Sequence, residues 1–216
     1  MKAAGYCGAL LLTLLLAVGQ PALAADTIDW EGLVPPLDES LNPYLSLSED
    51  QQGSLYDLWM VRQREIDGSK GLENLEKEAL DNLAAGGIDA ETVLRELNEF
   101  LVLAEENNSK LVQGLNGKNV RIPGYVLPTE FSGDKVVEFL LVPYVGACVH
   151  SPAPPANQMV HVIVDEGFAS EGMFAPVWVT GKIATAMSTQ SISLTDGTTD
   201  VEAGYQIKAS DIASYE

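Results

Sequence analysis

Apolar residues recur at three- and four-residue intervals from about Ser48 to Asn107, the spacing of one face of an α-helix. Leu55, Leu58 and Trp59 mark a first stripe, with Ile66 further on. Leu72, Leu75, Ala79 and Leu83 mark a second, and Val93, Leu97, Phe100, Leu101 and Ala104 a third. The punctuation agrees with three helices over residues 46–110. Ser48-Glu49-Asp50-Gln51 has the form of a capping box, in which a hydroxyl and a glutamine side chain satisfy each other's backbone amides. Asp67-Gly68-Ser69 breaks the first helix, Gly86-Gly87 ends the second, and Asp89 caps the third. The stripes predict a helical hairpin or three-helix unit with most of its acids outward.

The pattern changes after Asn107. Candidate strands are Asn119–Val126, Val136–Pro143, Met159–Val164, Pro176–Thr185 and Ala203–Ala209. They are rich in Val, Ile, Tyr and Phe and separated by Gly, Pro, Asp and Ser. Five short strands over residues 111–216 predict a small OB-like β-barrel, with Gly181 at a bend in the fourth. Residues 25–45 carry Trp30, Pro35-Pro36 and Asn42-Pro43. They read as an extended leader without regular structure, packing Trp30 and Leu33 onto the body. The fold class is therefore α+β: an N-terminal segment of about three helices followed by a five-stranded OB-like barrel.

The N-terminus adds a location. Lys2, the apolar stretch Ala9–Val18 and Ala22-Leu23-Ala24 make a charged start, a short hydrophobic region and a small-x-small cleavage site over residues 1–24. That stretch is too short to span a bilayer comfortably. A cleaved signal peptide and a periplasmic protein are expected. Cys7 precedes the apolar stretch rather than following it, so no lipid anchor is expected. The mature chain then keeps only Cys148. It cannot form an internal disulfide, and its thiol must be buried, bound or used. The 31 Asp and Glu against 12 Lys and Arg give a formal charge of −19. Such a surface repels phosphate backbones and anionic headgroups. It argues against nucleic-acid partners and suits cationic ones, metal ions included.

Candidate chemistry gathers between Val142 and His161, which holds Cys148 and both histidines, His150 and His161. In extended chain, Cys148 and His150 share a face, and a hairpin-like return would bring His161 to them. Three readings are open. The first is a metal site for zinc or copper, with Asp165 or Glu166 able to supply a fourth ligand. The second is a nucleophilic Cys148 with His150 or His161 as base and Asn157 orienting the imidazole. The third is a structural role for all three. No GxSxG, phosphate loop, dinucleotide fingerprint or EF-hand is present. Tyr144 and the polyproline-like stretch with Pro154 and Pro155 lead into Asn157 and Gln158. This rigid loop ending in two amides is a candidate binding surface for a peptide or protein edge.

Three blocks together, Asn116–Pro128, Glu138–Tyr144 and Gly146–Gln158, resemble a bacterial family of exported proteins and lipoproteins known only as a domain of unknown function. The resemblance covers about residues 110–210, and the start Asp29–Pro35 is similar as well. It implies a periplasmic location and association with ABC-type transport systems, some of them supplying zinc. On that basis the expected function is an accessory or binding component of an envelope transport system, with zinc as candidate cofactor at Cys148, His150 and His161. The alternatives are a metal-free protein-interaction module and a Cys-dependent hydrolase.

Overall fold

Local sequence sets the helix ends. In the computed structural model, which describes residues 24–66, 71–148, 153–194 and 197–215, the helices are Glu49–Ile66 (α1), Glu73–Ala85 (α2) and Ala90–Asn107 (α3). The expected signal peptide (apart from Ala24) and Asp67-Gly68-Ser69 lie outside the described residues. The capping box forms as expected: Ser48 N–H donates to Gln51 Oε1 at 2.9 Å, and Gln51 N–H to Ser48 Oγ at 3.4 Å. Gly87, at φ +74°, lets the chain turn after α2, with Ile88 N–H reaching back to the Leu83 carbonyl at 2.9 Å. This is the glycine-dependent closure that frees a helix end from unsatisfied carbonyls. Asp89 accepts from Thr92 N–H at 2.8 Å, and these bonds hold its carboxyl below the usual range.

The three helices bury a common core of Leu55, Leu58, Ala79, Leu83, Val93, Leu94 and Leu97, closed by Leu47. The third stripe departs from expectation. Burial on its apolar side stops at Leu97, and Leu101, read as inward, is 40% exposed. Beyond Leu97, Phe100 and Leu101 line an open cleft with Tyr56 and Trp59 of α1 instead of a closed core. At the end of α3, Asn107 is buried and donates from Nδ2 to the Pro35 carbonyl at 2.8 Å.

Six strands, Asp26–Thr27 (β1), Asn119–Ser132 (β2), Lys135–Val142 (β3), Val160–Phe168 (β4), Pro176–Leu194 (β5) and Gly197–Ser214 (β6), make one sheet. The pairings run β2-β3-β4-β6-β5 and return to β2; β4 and β6 run parallel and the other ring pairs antiparallel. β1 adds a short parallel pair to β2. The five expected strands are all present, and a register shift falls between Thr180 and Gly181, where a bend was expected. A Cβ at Gly181 would lie 2.3 Å from the Lys208 carbonyl oxygen, so only glycine lets β6 approach this closely.

Alternation along the strands divides two cores. Val120, Ile122, Phe139, Leu141, Val160, Val162, Tyr205 and Ile207 fill one side together with Leu33. Leu127, Leu140, Val142, Met159 and Cys148 face the other way. They are covered by Ile192, Val201 and Ala203, carried on the distal half of the β5–β6 hairpin. A second register shift, between Thr185 and Ser188, separates that half from the part of the hairpin nearer the ring.

Two further expectations need correction. The leader is not an unstructured extended arm. It forms β1 and three 3-10 turns, at Glu31–Leu33, Glu39–Leu41 and Pro43–Ser46. Asp38 and Asn42 cap the last two by accepting from Ser40 N–H at 3.0 Å and Tyr44 N–H at 3.1 Å, the local bonding that makes Asx residues turn formers. Nor are helical turns confined to the N-terminal part, since 3-10 turns also occur at Gln113–Leu115 and Ala156–Gln158. Leu33 and Trp30 do pack on the body: Leu33 is fully buried, and Trp30 Nε1 donates to the Pro123 carbonyl at 2.9 Å. Tyr205 locks this arrangement. Its hydroxyl donates to the Leu33 carbonyl at 2.6 Å and accepts from Val112 N–H at 2.7 Å.

Candidate functional site

The segment from Val142 to His161 leaves β3, turns, and re-enters the sheet as β4. Gly146 (φ +87°) and Cys148 (φ +67°) take left-handed backbone conformations in the turn, which are uncommon for a side chain such as cysteine. Tyr144 is exposed. His150 lies outside the described residues. Pro154 is buried and Pro155 exposed, and Pro155 has the polyproline-like φ −60°, ψ 155° expected of it.

Asn157 and Gln158 follow in a 3-10 turn. Asn157 is 1% exposed, and its Nδ2 donates to the carbonyls of Asn107 at 2.8 Å and Lys110 at 3.2 Å. Gln158 Nε2 donates to the Trp30 carbonyl at 2.8 Å. Both amides therefore fasten other parts of the chain. Asn157 bolts the loop to the end of α3, and Gln158 bolts it to the leader.

Cys148 sits in the apolar cluster with Met159 and Leu140, and burial raises its thiol to a pKa of about 11. A thiol raised by an apolar surrounding is protonated at neutral pH and poor as nucleophile or metal ligand. His161, on β4, is 5% exposed. Its Nε2 lies 2.8 Å from Glu138 Oε2, and its Nδ1 lies 3.3 Å from both Gln190 Nε2 and Gln206 Nε2. With amide nitrogens facing Nδ1, that atom is the acceptor and Nε2–H is the donor to Glu138. Four strands thus converge on one imidazole. Glu138 comes from β3, Gln190 from the distal half of β5 and Gln206 from β6, so the cluster pins the hairpin across the sheet. Of the proposed fourth ligands, Asp165 pairs with Lys208 at 2.9 Å, and the Glu166 main-chain carbonyl accepts from Lys135 Nζ at 3.2 Å. Among the described residues, no three His, Cys, Asp or Glu side chains converge on a point where a metal ion could sit. Of the three expected ligands, His161 has both ring nitrogens engaged and Cys148 has a thiol raised by burial, while His150 lies outside the described residues.

The sequence reading did not single out Glu138, Gln190 or Gln206. Glu138 carried a signal, being one acid inside the otherwise apolar Val136–Val142. The other feature lies on the helical unit, whose apolar stripes also admit the docking of a partner helix. There Tyr44, Tyr56, Trp59, Leu97, Phe100 and Leu101 line a cleft of about 320 Å³. Tyr56 and Trp59 stand 6.4 Å apart at 32°. Trp59 is held by its Nε1 donating to Asn98 Oδ1 at 3.2 Å, and Tyr44 by its hydroxyl donating to the Gln52 carbonyl at 2.7 Å. A larger depression of about 610 Å³ adjoins it, sharing Phe100 and Asn42. No helix among the described residues is long and apolar enough to cross a membrane.

Fold and site together define a mixed helix-and-sheet protein: three helices beside a six-stranded sheet, with an apolar cleft on the helices and engaged polar groups in the sheet. The chain belongs to the family described as "Protein of unknown function (DUF3299)", whose model matches residues 30–214. It is similar to a crystal structure of a DUF3299 family protein from Pseudomonas aeruginosa PAO1 at 24% identity. That match has a TM-score of 0.47 and covers 89% of this chain and 97% of the other. No curated protein matches the chain.

Proposed function

We propose that the protein is a non-enzymatic binding component of the bacterial envelope, with an OB-like barrel as scaffold and the helical unit as its docking surface. The observation that carries this reading is the uncovered apolar side of that unit. Tyr56 and Leu101, 53% and 40% exposed, line a cleft with the rings of Tyr44, Trp59 and Phe100. An exposed apolar lining of this kind marks interaction sites. Among the described residues, the groups weighed for catalysis or metal binding are by contrast occupied: the Cys148 thiol raised by burial, His161 tied to Glu138 and two amides, and the amide nitrogens of Asn157 and Gln158 bonded to main-chain carbonyls. The ring order β2-β3-β4-β6-β5, with one parallel pair, supports the OB-like assignment. Use as a nucleic-acid binder, common for that barrel, is opposed by the charge of −19. Export to the periplasm is supported by the N-terminal sequence, and service to an ABC-type transporter by the family resemblance.

Photocrosslinking in the bacterium that makes the protein tests this reading. A crosslinking residue placed at Leu101 is expected to give a discrete adduct with another envelope protein, while one at Phe131, an exposed residue of β2, is not. Absence of an adduct from position 101, or equal adducts from both positions, would overturn the reading.

A further inference from the structure

We infer that the occupant of the cleft is a cationic amphipathic helix of a partner protein, an inference that rests on the docking reading above and adds the partner's chemistry. The first argument is shape. The aromatic cleft and the larger depression adjoin at Phe100 and Asn42, and both are lined by α3, so together they make a two-part trough beside it. Its side walls are α1 on one side, through Tyr56 and Trp59, and the leader on the other, through Leu41 and Pro43.

The second argument concerns backbone. The trough is built from helices and 3-10 turns, whose amides and carbonyls bond within their own segments. It offers no sheet edge for an added strand to pair with. An occupant must arrive with its own backbone satisfied, which a helix does, presenting apolar anchors at i, i+3, i+4 and i+7.

The third argument is charge. Residues 46–110 hold fifteen Asp and Glu against six Lys and Arg, a formal −9. Several of the cations already face acids: Arg62 bonds Glu76 and Glu91, Arg95 bonds Glu99, and Lys77 bonds Asp81. On the trough, Asp89, Glu96 and Glu99 line the larger depression, three acids against the single Arg95 that pairs with Glu99 at 3.0 Å and lies 3.9 Å from Glu96. A second copy of the chain would bring another −19 to the same surface, and an anionic bilayer would be repelled likewise. Complementarity therefore selects a partner with lysines or arginines flanking its apolar stripe.

Calorimetry on the purified full chain with synthetic helices tests this. The probes are peptides of roughly 18 residues, long enough to be helical, with leucines on one face and either lysines or glutamates on the other. The lysine peptide is expected to bind one to one, and to weaken about tenfold between low and high salt as exposed charge pairs are screened. Tyr56→Ser and Leu101→Ser, both at exposed positions, are each expected to weaken it at least about tenfold, and Phe131→Ser on the barrel is not. Equal binding of the glutamate peptide would overturn the cationic assignment while leaving the docking reading intact. Binding that ignores both helical-unit variants, or no binding by a well-folded protein, would overturn the inference. In either case an adduct from position 101 in the crosslinking experiment would still uphold the docking reading.

Discussion

Cys148 decides between a hydrolase and a structural role, and its environment sets a number. Burial raises its thiol from 9.0 to about 11. At pH 7 the thiolate fraction is then about 10⁻⁴, against about 10⁻² for an unperturbed thiol, so attack on an alkylating reagent should be about a hundredfold slower on ionisation alone. Poor access, at 8% exposure, slows it further. The assay is the alkylation rate with iodoacetamide, followed by mass spectrometry from pH 6 to 11 and compared with the same protein in denaturant. The native rate should be low and still rising at pH 10, and denaturation should bring it to that of a free cysteine. Fast stoichiometric alkylation of the native protein at neutral pH would refute the reasoning and revive the nucleophile reading. The same displacement has a stability counterpart. The protonated thiol is the form that folding favours, so its contribution is full below the unfolded value near 9.0 and is lost as pH rises toward about 11. Cys148→Ala should flatten part of that alkaline loss. Tyr205 and Tyr44, whose hydroxyls burial also pushes upward, contribute to the remainder.

Tyr205→Phe leaves Leu33 O and Val112 N–H without their buried partner and should cost about 2–4 kcal/mol in urea unfolding. A change under about 0.5 kcal/mol would mean that the leader and linker are not held there. Asn157→Ala removes the donors to Asn107 and Lys110 and should cost about 1–3 kcal/mol, with faster amide hydrogen exchange at the end of α3; unchanged exchange there would contradict the bolt. Zinc titrated into the purified protein should give no stoichiometric event that His161→Gln abolishes. If one appears, the imidazole exchanges its Glu138 and glutamine partners for metal.

The helices and strands were legible because their signals are local. Ser48-Glu49-Asp50-Gln51, Gly86-Gly87 and Asp89 act within one turn of chain, and the runs Val136–Pro143 and Met159–Val164 are rich in strand-forming residues and bounded by turn formers. The distal halves of β5 and β6 were not legible. Ser188–Leu194 and Gly197–Asp200 carry only Ile192 and Leu194 as large apolar residues. Their strand conformation comes from the hairpin pairing and from the cluster that Ile192 and Val201 cover.

The candidate block divides the same way. That Cys148, His161, Asn157 and Gln158 were unusual could be read directly from the chain. What each one does could not, because the deciding partners lie far along it: Glu138, Gln190 and Gln206 for His161, Asn107 for Asn157, Trp30 for Gln158. A hydrogen bond needs its atoms within about 3 Å, and only the ring of strands brings such residues together. The aromatic trough has the same origin. Tyr44, Trp59 and Phe100 sit on three separate segments, and the sequence supplied the stripes while tertiary packing decided which part of each stripe stayed uncovered.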